Sequence, residues 1–170
     1  ELKRRIRIKI LTKEGADQAN IHLRYISHKN EEDITGLEAI TYNLDEAGNI
    51  KVTAIEKKLI YEKKVNKRYS EKVFTFLEVK PGTIIEYKYK HTNIGLINWY
   101  FQRSIPVKYS RYTIDFPEEI EVAAIPQCNN QYEQKLEEKG GRAIKLYSMN
   151  NVPAFRQEPY IINEDYYKDH

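Results

Sequence analysis

The chain has 170 residues, of which 41% are hydrophobic and 31% charged, with a formal net charge of +3. That length and mixture build a packed soluble core and exclude a disordered or fibrous chain. No apolar run approaches the roughly 20 residues of a membrane helix, and the single cysteine, Cys128, excludes an internal disulfide.

Period-two alternation dominates from the first residues. ELKRRIRIKI is no secretory h-region, because it alternates instead of running apolar. Arg4, Ile6, Ile8 and Ile10 face one way, and Arg5, Arg7 and Lys9 the other. IHLRYIS (21–27) is rich in strand formers. In GLEAITYNLDEAGNIKVTAI two apolar runs flank an acidic turn, a hairpin with Gly48 in a position that wants φ > 0. The basic excess peaks in KKLIYEKKVNKRYSEK (57–72), read as a solvated strand face and loop. Residues 1–90 hold 19 Lys and Arg against 14 Asp and Glu, whereas 91–170 hold 9 against 11.

KVFTFLEV runs into Pro81-Gly82, a turn that Gly82 completes with positive φ. The strand after it, TIIEYKYK, separates its aromatics from its cations. Ile85, Tyr87 and Tyr89 share one face, and Ile84, Glu86, Lys88 and Lys90 the other. A nucleic-acid platform needs both on one surface, so the tyrosines are expected inward, the lysines outward, and no nucleic acid is expected as partner. NWYFQRSIPVKYS (98–110) carries the only tryptophan. On a strand ending at Pro106, Trp99 and Phe101 would share a face opposite Tyr100. Two readings stay open for it: a core anchor, or a glycan- or peptide-binding surface of Trp99, Tyr100, Gln102 and Arg103. Pro117 ends the next strand. QYEQKLEEK is the best helix candidate and reads nearly as well as a strand, with Gly140-Gly141 turning it into RAIKLYSMN. Pro153 sets the chain leaving that hairpin. The whole predicts ten to twelve short strands in an all-β antiparallel sandwich, immunoglobulin-like or of supersandwich type, with little or no helix. It is expected as one domain over residues 1–165, with an exit tail at 166–170.

Candidates for chemistry are few. Cys128 lies in AAIPQCNNQY, and none of His22, His28, His91 or His170 is placed near it by sequence; a nucleophilic cysteine needs such a partner. No ligand spacing suggests a metal, no glycine-rich loop a nucleotide, and Glu118, Glu119 and Glu121 beside a turn lack the burial that acid–base work requires. A hydrolase or lyase acting by itself would need a close carboxylate pair that the sequence does not show. No cofactor and no catalytic residue is therefore expected.

GLEAITYNLDEAGNIKV, VFTFLEVKPGTIIEYKYK, WYFQRSIPVKYSRYTIDFPE and NNVPAFRQEPY occur in this order. Together they resemble the bacterial domain of unknown function that precedes transglutaminase-like, cysteine-peptidase-like domains in secreted or periplasmic proteins. The resemblance spans about residues 3–165 and departs from the family pattern at Leu77-Glu78. It implies an extracytoplasmic, non-catalytic accessory domain whose partner is a downstream transglutaminase-like domain of the same polypeptide. The catalytic triad would belong to that domain, and Pro81, Gly82, Tyr87, Pro106, Pro117 and Pro153 would be structural.

Overall fold

The computed structural model describes residues 1–156. The expected tail 166–170, and residues 157–165 of the expected domain, lie outside the described residues. Ten strands and three short 3-10 turns follow one another: β1 (Leu2–Lys9), β2 (Asn20–Ile26), β3 (Asp33–Leu44), β4 (Ile50–Ala54), β5 (Tyr61–Lys64), β6 (Tyr69–Thr75), β7 (Ile84–Thr92), β8 (Val107–Pro117), β9 (Glu133–Lys139) and β10 (Arg142–Val152). Every pairing is antiparallel. The all-β class read from the alternation is what forms. The chain divides into two compact units, Glu1–Leu96 and a second beginning at Ile97.

The first unit has a four-stranded sheet, β1-β7-β3-β4, and a three-stranded sheet, β2-β6-β5. Their inner faces share one core, the arrangement of a sandwich. Ile21, Leu23 and Tyr25 come from β2, Phe74 from β6, Ala39 from β3, and Ile85 and Tyr89 from β7. Along β1 the half-buried and exposed residues alternate strictly, so its isoleucines meet this core as the period demands. Tyr87 lies inside the aromatic cluster. It stands edge-on to Phe74 at 6.0 Å between centroids and is stacked with Tyr89 at 6.3 Å.

The outward faces carry an unforeseen device, used twice. Glu86 on β7 points outward yet is only 7% exposed. Arg7, directly opposite on β1, and Arg5, two residues away, both grip it, Arg5 at 2.9 and 3.1 Å and Arg7 at 2.5 Å. In the other sheet Glu71 on β6, also 7% exposed, faces Arg24 on β2. Arg24 donates to it at 3.0 and 2.9 Å, and His22, again two residues away, lies 3.1 Å from it. A buried carboxylate is costly unless paired and hydrogen-bonded, and two side chains at i and i+2 of the neighbouring strand, an arginine in each case among them, supply both. His22 first, then Arg24, holds the Glu71 carboxyl below the ordinary carboxylate range. Burial raises the Glu86 carboxyl, but Arg5 and Arg7 outweigh it and the balance is downward.

Turn chemistry fixes the registers. Lys80-Pro81-Gly82-Thr83 closes with the Thr83 N–H on the Lys80 carbonyl at 3.0 Å, and Gly82 takes φ 95°, the conformation of a type II turn. Gly82 N–H also donates to the Ile10 carbonyl at 2.8 Å, and the Thr83 hydroxyl donates to Asn43 Oδ1 at 2.5 Å. The turn is thereby tied to β3 and to the residue following β1. Gly48, as expected, has positive φ, 83°.

The second unit is one sheet, β8-β10-β9, over a core that includes Phe101, Ile114, Phe116, Tyr147 and Met149. QYEQKLEEK resolves as strand β9. Every residue of β9 is exposed, so hydrophobic period carries no vote there. The two-residue loop Gly140-Gly141, with φ 62° and 73°, is a hairpin turn of the twist strands need and lays β9 on β10. Pro117 closes β8 and Pro153 follows β10, both as expected.

Gly82→Ala should destabilise the chain by roughly 1–3 kcal/mol in urea denaturation, since a methyl there is strained by φ alone although it meets nothing within 4 Å. Gly95→Ala, equally open but without positive φ, should stay within about 0.5 kcal/mol. Glu86→Gln should cost about 1.5–3 kcal/mol, the range for hydrogen bonds to charged groups. Both carboxyls are held low, so their contribution is present above the ordinary carboxylate range and is lost as pH falls through the lowered values. Acid titration of stability should therefore be shallower in a Glu71→Gln/Glu86→Gln variant than in the native chain.

Candidate functional site

Trp99, Tyr100 and Phe101 stand in the connection between β7 and β8, where residues 93–106 form no strand. This corrects the expected aromatic strand ending at Pro106: Pro106 instead leads into β8. Asn93 at φ 59° turns the chain out of β7, and no neighbouring strand pairs with 98–103 among the described residues. Phe101 is buried in the core of the second unit, and Trp99 is half-buried against it.

Trp99 is held on several sides. Its ring is stacked on Tyr112 of β8 at 5.4 Å and 4°, its indole N–H donates to the Ser110 hydroxyl at 3.1 Å, and the Arg103 guanidinium sits 5.8 Å from its ring centroid. A stacked aromatic pair contributes about 0.5–1.5 kcal/mol beyond its buried area. Burial pushes the Tyr112 phenol up, partly opposed by a hydrogen bond with the Ile97 backbone. Gln102 donates to the Pro153 carbonyl at 3.2 Å, and the Phe155 N–H donates to the Arg103 carbonyl at 2.7 Å. The aromatic connection is therefore stitched to the segment that follows β10. Tyr100, half-buried, sits between these anchors.

The first unit holds a polar recess of about 430 Å³, lined by side chains including Tyr25, Ser27, Glu32, Glu62 and Ser70. Several of its groups are engaged with one another or with their neighbours. Ser70 donates to Ser27 at 2.8 Å, and Glu32 accepts from the Ile26 N–H at 2.8 Å and lies 3.1 Å from His91 Nε2. Lys72 holds the Glu62 carboxyl low, against burial, and Glu62 in turn raises Lys72. Burial, then the hydrogen bond to Glu62, raises the Tyr25 phenol. A carboxylate pinned below its ordinary range, as Glu62 is, is a poor base near neutrality. Sequence reading missed the recess because its walls come from separated stretches, residues 25–33, 62–64 and 70.

Cys128 is half-buried at the margin of the second core. His22 and His91 are each paired with a glutamate, and His28 begins a 3-10 turn. Among the described residues no group of three His, Cys, Asp or Glu side chains is placed to hold a metal, and no helix is long and apolar enough to cross a membrane.

With this geometry in view, the chain compares as follows. A family model described as a domain of unknown function with a solved structure, DUF3857, matches residues 1–156. No curated protein matches the sequence. A crystal structure of "a putative protease" from Parabacteroides distasonis has the same fold, with TM-score 0.79 at 17% identity over 98% of this chain. The chain spans 35% of the length of that protein.

Tyr112→Leu should lower stability by about 1 kcal/mol through the lost stack, shift the emission of the lone tryptophan to the red and increase its quenching by acrylamide. An unchanged spectrum would contradict the Trp99–Tyr112 packing.

Proposed function

We propose that this chain, which belongs to the DUF3857 family, serves as a non-catalytic accessory module that packs against and positions a transglutaminase-like, cysteine-peptidase-like domain of one extracytoplasmic polypeptide. The observation that carries the reading is one of proportion. Nearly the whole chain superimposes on about a third of a longer protein described as a putative protease, which is how a module attached to a catalytic part would look. The likeness at that identity carries the fold; the chemistry of the longer protein is proposed for the parent of this chain, not for the residues described above.

The titratable side chains support the same reading. The clamped glutamates and the recess carboxylates are spent on neighbouring cations and backbone donors, which serves register and rigidity. Catalytic acids and bases instead need pKa values near the working pH. The stitching of Gln102 and Arg103 to Pro153 and Phe155 gives the connection 98–103 a part in holding the segment beyond β10, the place for a coupling element.

The test compares the purified chain with the full parent polypeptide on a panel of peptides, isopeptides and peptidoglycan fragments. The accessory reading expects turnover by the parent and none by the chain. In the parent, Trp99→Ala should lower kcat/KM by about 5- to 30-fold, the scale of about 1–2 kcal/mol of lost positioning. Turnover by the chain alone would overturn the reading. Saturable binding of one glycan or peptide class to the chain, followed by Trp99 fluorescence, would replace it with a binding module built on Trp99, Tyr100, Gln102 and Arg103.

A further inference from the structure

The outer face of the four-stranded sheet is divided into a cationic and an apolar half. Directly paired residues on neighbouring strands point to the same side, so the registers define this face. On β1 and β7 it shows Lys3, Arg5, Arg7, Lys9, Lys88 and Lys90, six cations against the carboxylates of Glu86 and of Glu38 on β3. On the β3–β4 hairpin the three cross-strand pairs that point to this face are apolar: Ile40 with Ala54, Tyr42 with Val52, Leu44 with Ile50. Leu44, Ile50 and Val52 are 62%, 68% and 56% exposed, while the opposite side of β3 is buried through Ala39, Thr41 and Asn43. β4 is the end strand of its sheet.

The surface is rigid as well as amphipathic. Asp45 Oδ1 accepts from the Ala47 and Asn49 N–H groups at 3.0 and 2.8 Å, fixing the hairpin turn. The Glu86 clamp fixes β1 against β7, and Arg7 also lies 5.9 Å from the Tyr42 ring centroid, where the two halves meet. A contiguous apolar row with an ordered charged flank is the make-up of a protein interface, with an apolar centre and a polar rim.

We infer that this face is the docking surface for a folded protein domain presenting an apolar patch beside an acidic flank, and, resting on the accessory reading above, that this partner is the catalytic domain of the same polypeptide. Charge decides among the occupants. A second copy would lay one net-positive face on another. An anionic membrane would meet Asp45 and Glu46 at the hairpin tip, beside the apolar pair Leu44 and Ile50 that would have to insert; hydrogen bonding to the Asn49 backbone keeps Asp45 ionised. Nucleic acid would find one aromatic on the face, Tyr42, already beside Arg7, where a stacking platform needs several. An acidic-rimmed domain satisfies both halves.

The test is hydrogen exchange of the chain alone and within its parent polypeptide. Residues 40–54 should exchange at least about 10-fold more slowly in the parent, and Leu44→Ser/Ile50→Ser should remove that protection. Both side chains are exposed, so the isolated variant should keep its melting temperature, and a parallel Lys9→Glu/Lys90→Glu variant probes the charged flank without touching the apolar row. Protection confined to other segments would overturn this face while leaving the accessory reading standing. No protection anywhere would overturn both. Co-sedimentation of the chain with phosphatidylserine–phosphatidylcholine vesicles, or slowed exchange at 40–54 in a dimer of the isolated chain, would assign the face to another occupant and overturn the inference.

Discussion

A carboxylate on the outward face of a sheet, shielded from water, has to be neutralised by whatever the next strand brings alongside. Both sheets of the first unit solve this in the same way. Glu86 is gripped by Arg7 opposite and Arg5 two residues off, and Glu71 by Arg24 opposite and His22 two residues off. Because side-chain direction alternates along a strand, a slip of one residue would turn Arg5 and Arg7, or His22 and Arg24, into the core and leave the glutamate without its partners. The clamps therefore add a strong penalty against wrong register to the modest attraction of the apolar alternation. They also order the cations of β1 into a row, which gives the outer face its charged half.

Burial pushes the recess phenol of Tyr25 up, toward its neutral form, whereas Glu62, Glu71 and Glu86 are pushed downward and Lys72 upward, toward their charged forms. Such groups lock geometry and exchange protons poorly near neutrality. Beside the Glu86 clamp, the outer face of the β1-β7-β3-β4 sheet carries exposed apolar side chains at Leu44, Ile50 and Val52.

Much of the fold was legible because it is local. RRIRIKI and TIIEYKYK announce their faces by period two, Pro81-Gly82 and Gly140-Gly141 announce turns, and all appear where the spacing puts them. The aromatic connection was misread as a strand because three consecutive aromatics satisfy any period, while what decides strand formation is a pairing edge elsewhere in the chain. QYEQKLEEK was ambiguous for the opposite reason: all its residues are exposed, so only its pairing with β10 defines it. The clamp partners and the recess walls were illegible. The R-x-R and H-x-R patterns are visible, but the glutamate each one meets lies 79 residues away for Arg7 and 47 for Arg24, a distance that only the fold closes.

The most direct test of the account is calorimetric titration of this chain with the remainder of its parent polypeptide, produced separately, over a range of salt. The account predicts association with a negative heat-capacity change from the apolar half of the sheet face. It also predicts an affinity that falls as ionic strength rises, because the exposed cations of the other half are screened. Absence of association, or an affinity indifferent to salt and without a heat-capacity change, would contradict it.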